Sequence, residues 1–518
     1  MSDRLNTDKL LQHSVTKSVL WNFTGQGCIL LISFFATPFI LHKLDVNLYG
    51  IYMLVGAAMG YLGFLQLGLG PASVKYIAEY LAKKQELKIR SAFWSCIIIY
   101  VILGFCAVLT VFCSANFVIV RFFKISPFFS ATAVLALKLG ALEFLVTMIS
   151  AVVSGIMRSL NRFDILNRID VSLYALQIGL SVIVLLAGFS LPALIAVNIC
   201  VKGIGIFVYW SFACRYLPFL RKPYWETNSL RELLKFGGFI TVSQVLSPIL
   251  NNVEKIFLSS LRSVASLAYY SVPASLIARA SVIPYSFSSV LFPIFSYSWA
   301  EGNKRLNQEL HYRSSLYIIH IYAFFMVFFL VFGESFLTFW VGRDFAVKSA
   351  GILAVIAVSG LFSTAAYPSL AVLQGMGRPA IPAVLSLAEV IIYVPCSYFL
   401  INKFGTLGAA YVWLGRVFVD MFFLQRASCC LLQQSLWRWY ANILRRSVLP
   451  VCCGFILFYL LRQLNLAFIS PANILGCLCV LGIYLGLVWL WGLDLSERRQ
   501  IAAIARSVFN ATARLRDE

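Results

Sequence analysis

The chain has 518 residues, of which 60% are hydrophobic and 12% charged. A soluble domain carries about 25% charged residues, so a soluble enzyme and a DNA-binding module are excluded. The mean hydropathy of +0.85 and the formal charge of +21 suit a polytopic membrane protein whose Lys and Arg collect in cytoplasmic loops, with no nucleic-acid partner.

Residues 1–17 are polar, carry Arg4, Lys9 and Lys17, and lack a cleavable signal pattern, so they read as a cytoplasmic N-terminal segment. A spanning helix needs about 20 mostly apolar residues. Apolar runs predict fourteen spans, at about 18–41, 49–70, 91–113, 131–153, 171–189, 192–212, 237–260, 265–295, 314–336, 349–373, 380–401, 407–425, 446–461 and 471–491. With the N-terminus inside, cytoplasmic segments hold 29 Lys and Arg and the opposite loops 8. That asymmetry orients the chain with both termini in the cytoplasm. The thirteen cysteines lie mostly within apolar runs, lack a CxxC and have only four histidines beside them, so they read as packing residues. No metal centre and no cofactor are expected.

An internal repeat appears at an offset of 218 residues: Gly50-Ile51-Tyr52 falls on Ala268-Tyr269-Tyr270, and Ala82-Lys83-Lys84-Gln85 on Ala300-Glu301-Gly302-Asn303. Six spans separate the copies, so the repeat is parallel, and transporters place their sites between such halves. The expected fold is therefore all-α, with two six-helix lobes in pseudo-two-fold repeat plus two C-terminal helices. Its parts are an N-lobe at 18–212, a cytoplasmic linker at 213–236, a C-lobe at 237–425, a linker with spans 13 and 14 at 426–491, and a basic cytoplasmic tail at 492–518.

Polar residues inside a span must face protein or water. Asn22, Gln26, Ser33 and Thr37 fall within about 60° on span 1, and Thr241, Gln244, Asn251, Asn252 and Lys255 within about 100° on span 7. The repeat offset sets Gln26 on Gln244, Ser33 on Asn251 and Thr37 on Lys255. On span 8, Ser271, Ser275, Arg279, Ser286 and Ser289 fall within about 80°. Small hydroxyl residues also serve plain helix packing. Arg279 is different, because an arginine far from either surface requires a wet cavity, an acidic partner or an anionic ligand. Arg416 and Asp420 are four residues apart and suggest a local pair. Lys138, Glu143, Lys202 and Glu389 stand singly, each a relay or half of a pair whose partner is not apparent. Glu254 points about 100° away from its neighbour Lys255, so these two need not pair. Pro248, Pro273, Pro284, Pro368 and Pro395 interrupt spans and mark candidate bends.

Five motifs then suggest a family. Leu44-Asp45-Val46-Asn47-Leu48-Tyr49-Gly50-Ile51-Tyr52 resembles the L-G-x-x-x-Y-G-x-Y of the polysaccharide transporters, with Asp45 in place of a glycine. Leu67-Gly68-Leu69-Gly70 followed by Tyr76-Ile77-Ala78-Glu79 resembles that family's span-2 ending. Leu291-Phe292-Pro293-Ile294-Phe295-Ser296, Gly375-Met376-Gly377-Arg378-Pro379 and Gly405-Thr406-Leu407-Gly408-Ala409-Ala410 are similar to its later signatures, in order, across about residues 15–425.

The resemblance implies a bacterial inner-membrane flippase of the multidrug/oligosaccharidyl-lipid/polysaccharide superfamily. Such a protein moves a polyprenyl-pyrophosphate-linked sugar by alternating access, without ATP and without enzymatic chemistry. Substrate would meet Arg279, Lys255, Asn22, Gln26, Gln244, Asn251 and Asn252, while Glu143, Glu254 and Glu389 are the candidates for ion coupling. Its partners would be the lipid-linked glycan, the membrane and glycan-assembly proteins, and the chain would be a monomer. A multidrug exporter of the same fold is the alternative. A membrane-embedded glycan polymerase or ligase is another, although no outside loop exceeds about 20 residues.

Overall fold

Long apolar runs with no water to satisfy their peptide groups must close their hydrogen bonds within each segment, which leaves the α-helix as the available form. The structure, a computed structural model, describes residues 2–123, 125–160, 162–226, 246, 248–464, 466–495 and 497–498. Of residues 2–24, 26, 82, 287, 289, 290, 292, 293 and 300 it describes the backbone alone. Among the described residues there is no strand. The protein is an all-α integral membrane protein.

The helices in chain order are α1 (Ser2–Leu62), α2 (Leu69–Ala82), α3 (Glu86–Phe117), α4 (Pro127–Ser159), α5 (Phe163–Leu186), α6 (Leu191–Tyr216) and α7 (248–261). They continue with α8 (Val264–Ala280), α9 (Val282–Ala300), α10 (Lys304–Val341), α11 (Arg343–Ala365), α12 (Tyr367–Gly375) and α13 (Ala380–Phe404). The last three are α14 (Thr406–Leu431), α15 (Leu436–Gln463) and α16 (Pro471–Leu487).

Eleven stretches among the described residues are long and apolar enough to cross a membrane. The other three expected spans have identifiable places. Spans 1 and 2 lie on the continuous α1, which is broken at Asp45 (φ 68°, ψ 158°). Span 7 falls partly outside the described residues. Span 8 was expected as one helix over 265–295 and is instead two, α8 and α9, separated at Ser281. Span 10 is likewise divided at Ala366 into α11 and α12. The prolines account for much of this. Pro284 and Pro368 stand in the first turn of the helix that restarts, where an N–H has no carbonyl of its own helix to serve. Pro273 and Pro395 lie inside α8 and α13.

The chain forms two compact units: residues up to Ser271 with Val390–Ala409, and Val272–Glu389 with the residues from Ala410 onward. In the first unit, glycines admit close helix approach, as packing in lipid requires. A Cβ on Gly140 would stand 2.5 Å from Val55 Cγ1, and one on Gly104 2.4 Å from Leu145 Cδ1. Gly50 is tighter still, since a Cβ there would reach 1.9 Å from the Val264 carbonyl oxygen at the start of α8. The segment after α6 is bound to the start of α3: Arg90 Nε donates to Lys222 O (2.8 Å) and Trp94 Nε1 to Leu220 O (3.0 Å).

In the second unit, α10 is the central helix. Phe324, Phe328 and Phe332 meet Phe458 of α15 with ring centroids 5.6–5.9 Å apart. At one end of α10 and α15, buried Glu497 lies 3.4 Å from Arg313 and 3.6 Å from Arg446. It also accepts from Tyr317 Oη at 3.3 Å and, capping the backbone, from Asp494 N at 2.6 Å.

Candidate transport site

Gln244 lies outside the described residues, and Asn22 and Gln26 are described only as helical positions of α1. Further along α1, Ser33 Oγ donates to Leu30 O (2.9 Å) and Thr37 Oγ1 to Ser33 O (2.8 Å). Both hydroxyls are thus satisfied by their own helix. On α7, Asn252 and Lys255 come together, with Lys255 Nζ donating to Asn252 Oδ1 at 2.9 Å. Asn251 is exposed and Asn252 half-buried. A Cβ on Gly60 of α1 would stand 3.2 Å from Asn252 Nδ2, so this amide lies against α1.

Glu254 is turned the other way and is buried. Tyr393 of α13 donates to its Oε2 at 3.0 Å and Tyr270 of α8 to its Oε1 at 3.4 Å. Tyr61 of α1 also faces it. Three phenols from three helices therefore surround one carboxylate. The sequence singled out Glu254 but did not join it to these tyrosines, which lie 16, 139 and, for Tyr61, 193 positions away.

Glu143 and Glu389 are each given a cation. Lys202 Nζ of α6 lies 2.8 Å from Glu143 Oε1 of α4 and donates also to Thr147 Oγ1 at 2.8 Å. Arg416 Nε of α14 lies 3.7 Å from Glu389 Oε2 of α13, over the Trp413 ring at 4.6 Å. Asp420 faces both members of this second pair.

Arg279 belongs to the second unit and Lys255 to the first. Arg279 is half-buried in the last turn of α8, two residues before the break at Ser281. Its cost in mid-span is lessened there, because the carbonyls that end a helix carry partial negative charge. The helical stripe expected along span 8 does not run unbroken: Ser271, Ser275 and Arg279 are on α8, while Ser286 and Ser289 follow on α9.

The motif glycines have structural duties. Gly377 (φ 73°) and Gly405 (φ 62°) turn the chain into α13 and α14 with left-handed backbone. A Cβ on Gly408 would stand 2.0 Å from Leu400 O, so this glycine permits the close hairpin of α13 and α14.

The sequence model of the family described as "Polysaccharide biosynthesis protein" matches residues 15–299, more than half the chain, and the MatE model matches 240–399. A Shigella flexneri protein named "Putative O-antigen transporter" is 27% identical over 416 residues, covering 80% of this chain and 97% of that protein. Among solved structures, the lipid II flippase MurJ in an inward closed conformation aligns with a TM-score of 0.70 at 12% identity, over 92% of this chain and 98% of that one. An inward-facing multidrug resistance MATE family transporter of the MOP superfamily aligns at 0.62 and 17%, over 80% and 96%. At such identities the structural likeness speaks for the fold, and the sequence match over more than half the chain carries the family: the chain belongs to the polysaccharide biosynthesis protein family, the polysaccharide transporters of the multidrug/oligosaccharidyl-lipid/polysaccharide superfamily.

Proposed function

We propose that the protein is a flippase that carries a polyprenyl-pyrophosphate-linked oligosaccharide across the bacterial inner membrane by alternating access. The observation that carries this reading is the position of Arg279, a guanidinium in the last turn of a helix that breaks in mid-span. A planar fork of donors matches phosphate oxygens, and an anionic head group offsets the cost of placing it there. Lys255 adds a second cation, and Asn22, Gln26, Gln244, Asn251 and Asn252 supply amides for the sugar. In this reading the two repeats, 18–212 and 237–425, are lobes that rock about the substrate, both termini are cytoplasmic, and the polyprenyl tail stays in lipid. The relationship to the Shigella flexneri protein supports the substrate class.

Of the three carboxylates, Glu254 is the coupling candidate we favour. Phenolic hydroxyls from two helices, Tyr393 of α13 and Tyr270 of α8, donate to it. Phenols can remain hydrogen-bonded to a carboxyl group in either protonation state. The MatE match over 240–399 favours a second reading, ion-coupled export of a different solute.

Complementation of a flippase-null strain, scored beside protein level in the membrane, tests the proposal. Arg279→Lys is expected to be partly defective and Arg279→Ala severely so. One charge-assisted contact amounts to about 1.5–3 kcal/mol, or roughly 10- to 150-fold in binding. Normal glycan export by Arg279→Ala/Lys255→Ala would remove the hypothesis.

A further inference from the structure

A second polar cluster, built around the Glu143–Lys202 pair, lies inside the first unit. Glu143 is at the midpoint of α4 and Lys202 near the midpoint of α6, with their charged atoms 2.8 Å apart. One turn from each is a further polar residue on the same face, Thr147 and Asn198. Gln177, near the midpoint of α5, donates from Nε2 to Asn198 Oδ1 at 2.9 Å. Tyr52 of α1 lies beside Glu143 and Asn198, with Tyr174 of α5 near it. Four helices thus direct polar side chains to one level.

That level is deep. The midpoint of a 33-residue helix is about 24 Å from either end, beyond the reach of a lysine or glutamate side chain seeking the surface. Yet the side chains of Lys202 and Glu143 retain 32% and 21% exposure. An open ion pair at that depth would pay several kcal/mol to face hydrocarbon, which favours its opening on water.

The chemistry of this cluster suits carbohydrate recognition. Carboxylate and amide oxygens accept from sugar hydroxyls, while ammonium and amide N–H groups donate to them. Tyrosine rings offer flat apolar faces with a polar tip. The balanced charge of the Glu143–Lys202 pair suits a neutral polyol better than a phosphate. We propose that this cluster in the first unit is a glycan subsite, in which Gln177, Tyr52 and the Glu143–Lys202 pair hold a sugar unit of the cargo and buried Asn198 orients Gln177. This inference rests on the flippase reading above and adds where part of the glycan is held.

Two measurements test it. The first uses a cysteine-free background that still exports glycan, with methanethiosulfonate ethylammonium as the water-soluble probe. Gln177→Cys should be modified in native membranes, whereas Ile183→Cys, on the same helix and 61% exposed, should not. The second is glycan export in the flippase-null strain. Gln177→Leu and Asn198→Leu should each lower export about three- to tenfold, the loss of one or two hydrogen bonds. Protein level and thermal stability should be unchanged, and Gln177→Glu should restore export. If Gln177→Leu does not accumulate, Tyr52→Phe, which keeps the ring and removes one hydroxyl, decides in its place. Unmodified Gln177→Cys, or full export by the leucine variants, would overturn the subsite and leave the flippase reading standing. Failure of the unaltered chain to export any lipid-linked glycan would overturn both.

Discussion

Removing one member of the Glu143–Lys202 pair tests what holds the middle of the first unit together. At 2.8 Å and an effective dielectric near 20, the direct attraction is about 6 kcal/mol. Most of that is cancelled by the water each charge gives up on folding, and the side-chain exposures of 32% and 21% screen the remainder further. Lys202→Met leaves the Glu143 carboxylate without its cation, and a cost of about 2 kcal/mol is expected, below the 3–5 kcal/mol of a fully buried pair. Glu143→Gln should cost about 1 kcal/mol, because its amide can still accept from Lys202. The double variant Lys202→Met/Glu143→Gln should be less destabilised than the sum of the two by at least about 1 kcal/mol. Thermal unfolding of the purified protein in detergent, followed by loss of the monodisperse peak, reads this as apparent Tm. Additive losses, with no recovery in the double variant, would refute an energetic role for the pair.

Three further outcomes are expected. Asp45 has φ 68° and ψ 158°, a backbone region close to glycine-only, and its side chain accepts from Asn47 N at 3.3 Å; Asp45→Gly should raise stability by about 1 kcal/mol net, and Asp45→Val should lower it. Gly50→Ala, whose Cβ would meet Val264 O at 1.9 Å, should cost about 1–3 kcal/mol or prevent accumulation, while Gly56→Ala, with nothing within 4 Å, should be near neutral in the same melting assay. Cysteines introduced near Lys84 or Lys304 should resist an impermeant thiol reagent added to intact cells, and labelling from outside would reverse the proposed orientation.

Much of this protein is present in its one-dimensional pattern. Apolar runs of about 20 residues suffice to call membrane helices, because in lipid the helix must satisfy its own backbone whatever its neighbours do. The turn motifs were legible for a similar reason: a glycine such as Gly405 answers to a local φ, which the immediate sequence dictates. The same local logic missed the division of the stretch 265–295 at Ser281, because apolar character continues through the break.

Where each polar side chain finds its partner is another matter. Glu143, Lys202 and Glu389 were visible as isolated charges, and nothing in their spacing joined Glu143 to Lys202 across 59 positions or Glu389 to Arg416 on the next helix. Helical phase says which residues of one helix share a face, but not which helix that face meets. That depends on three-dimensional packing, where a missing Cβ at Gly50 or Gly140 admits a neighbour and brings distant residues within a few ångströms. The tyrosines around Glu254 and the amides around the Glu143–Lys202 pair were therefore decided by tertiary structure alone, because hydrogen bonds between helices are set by distance in space and not by distance along the chain.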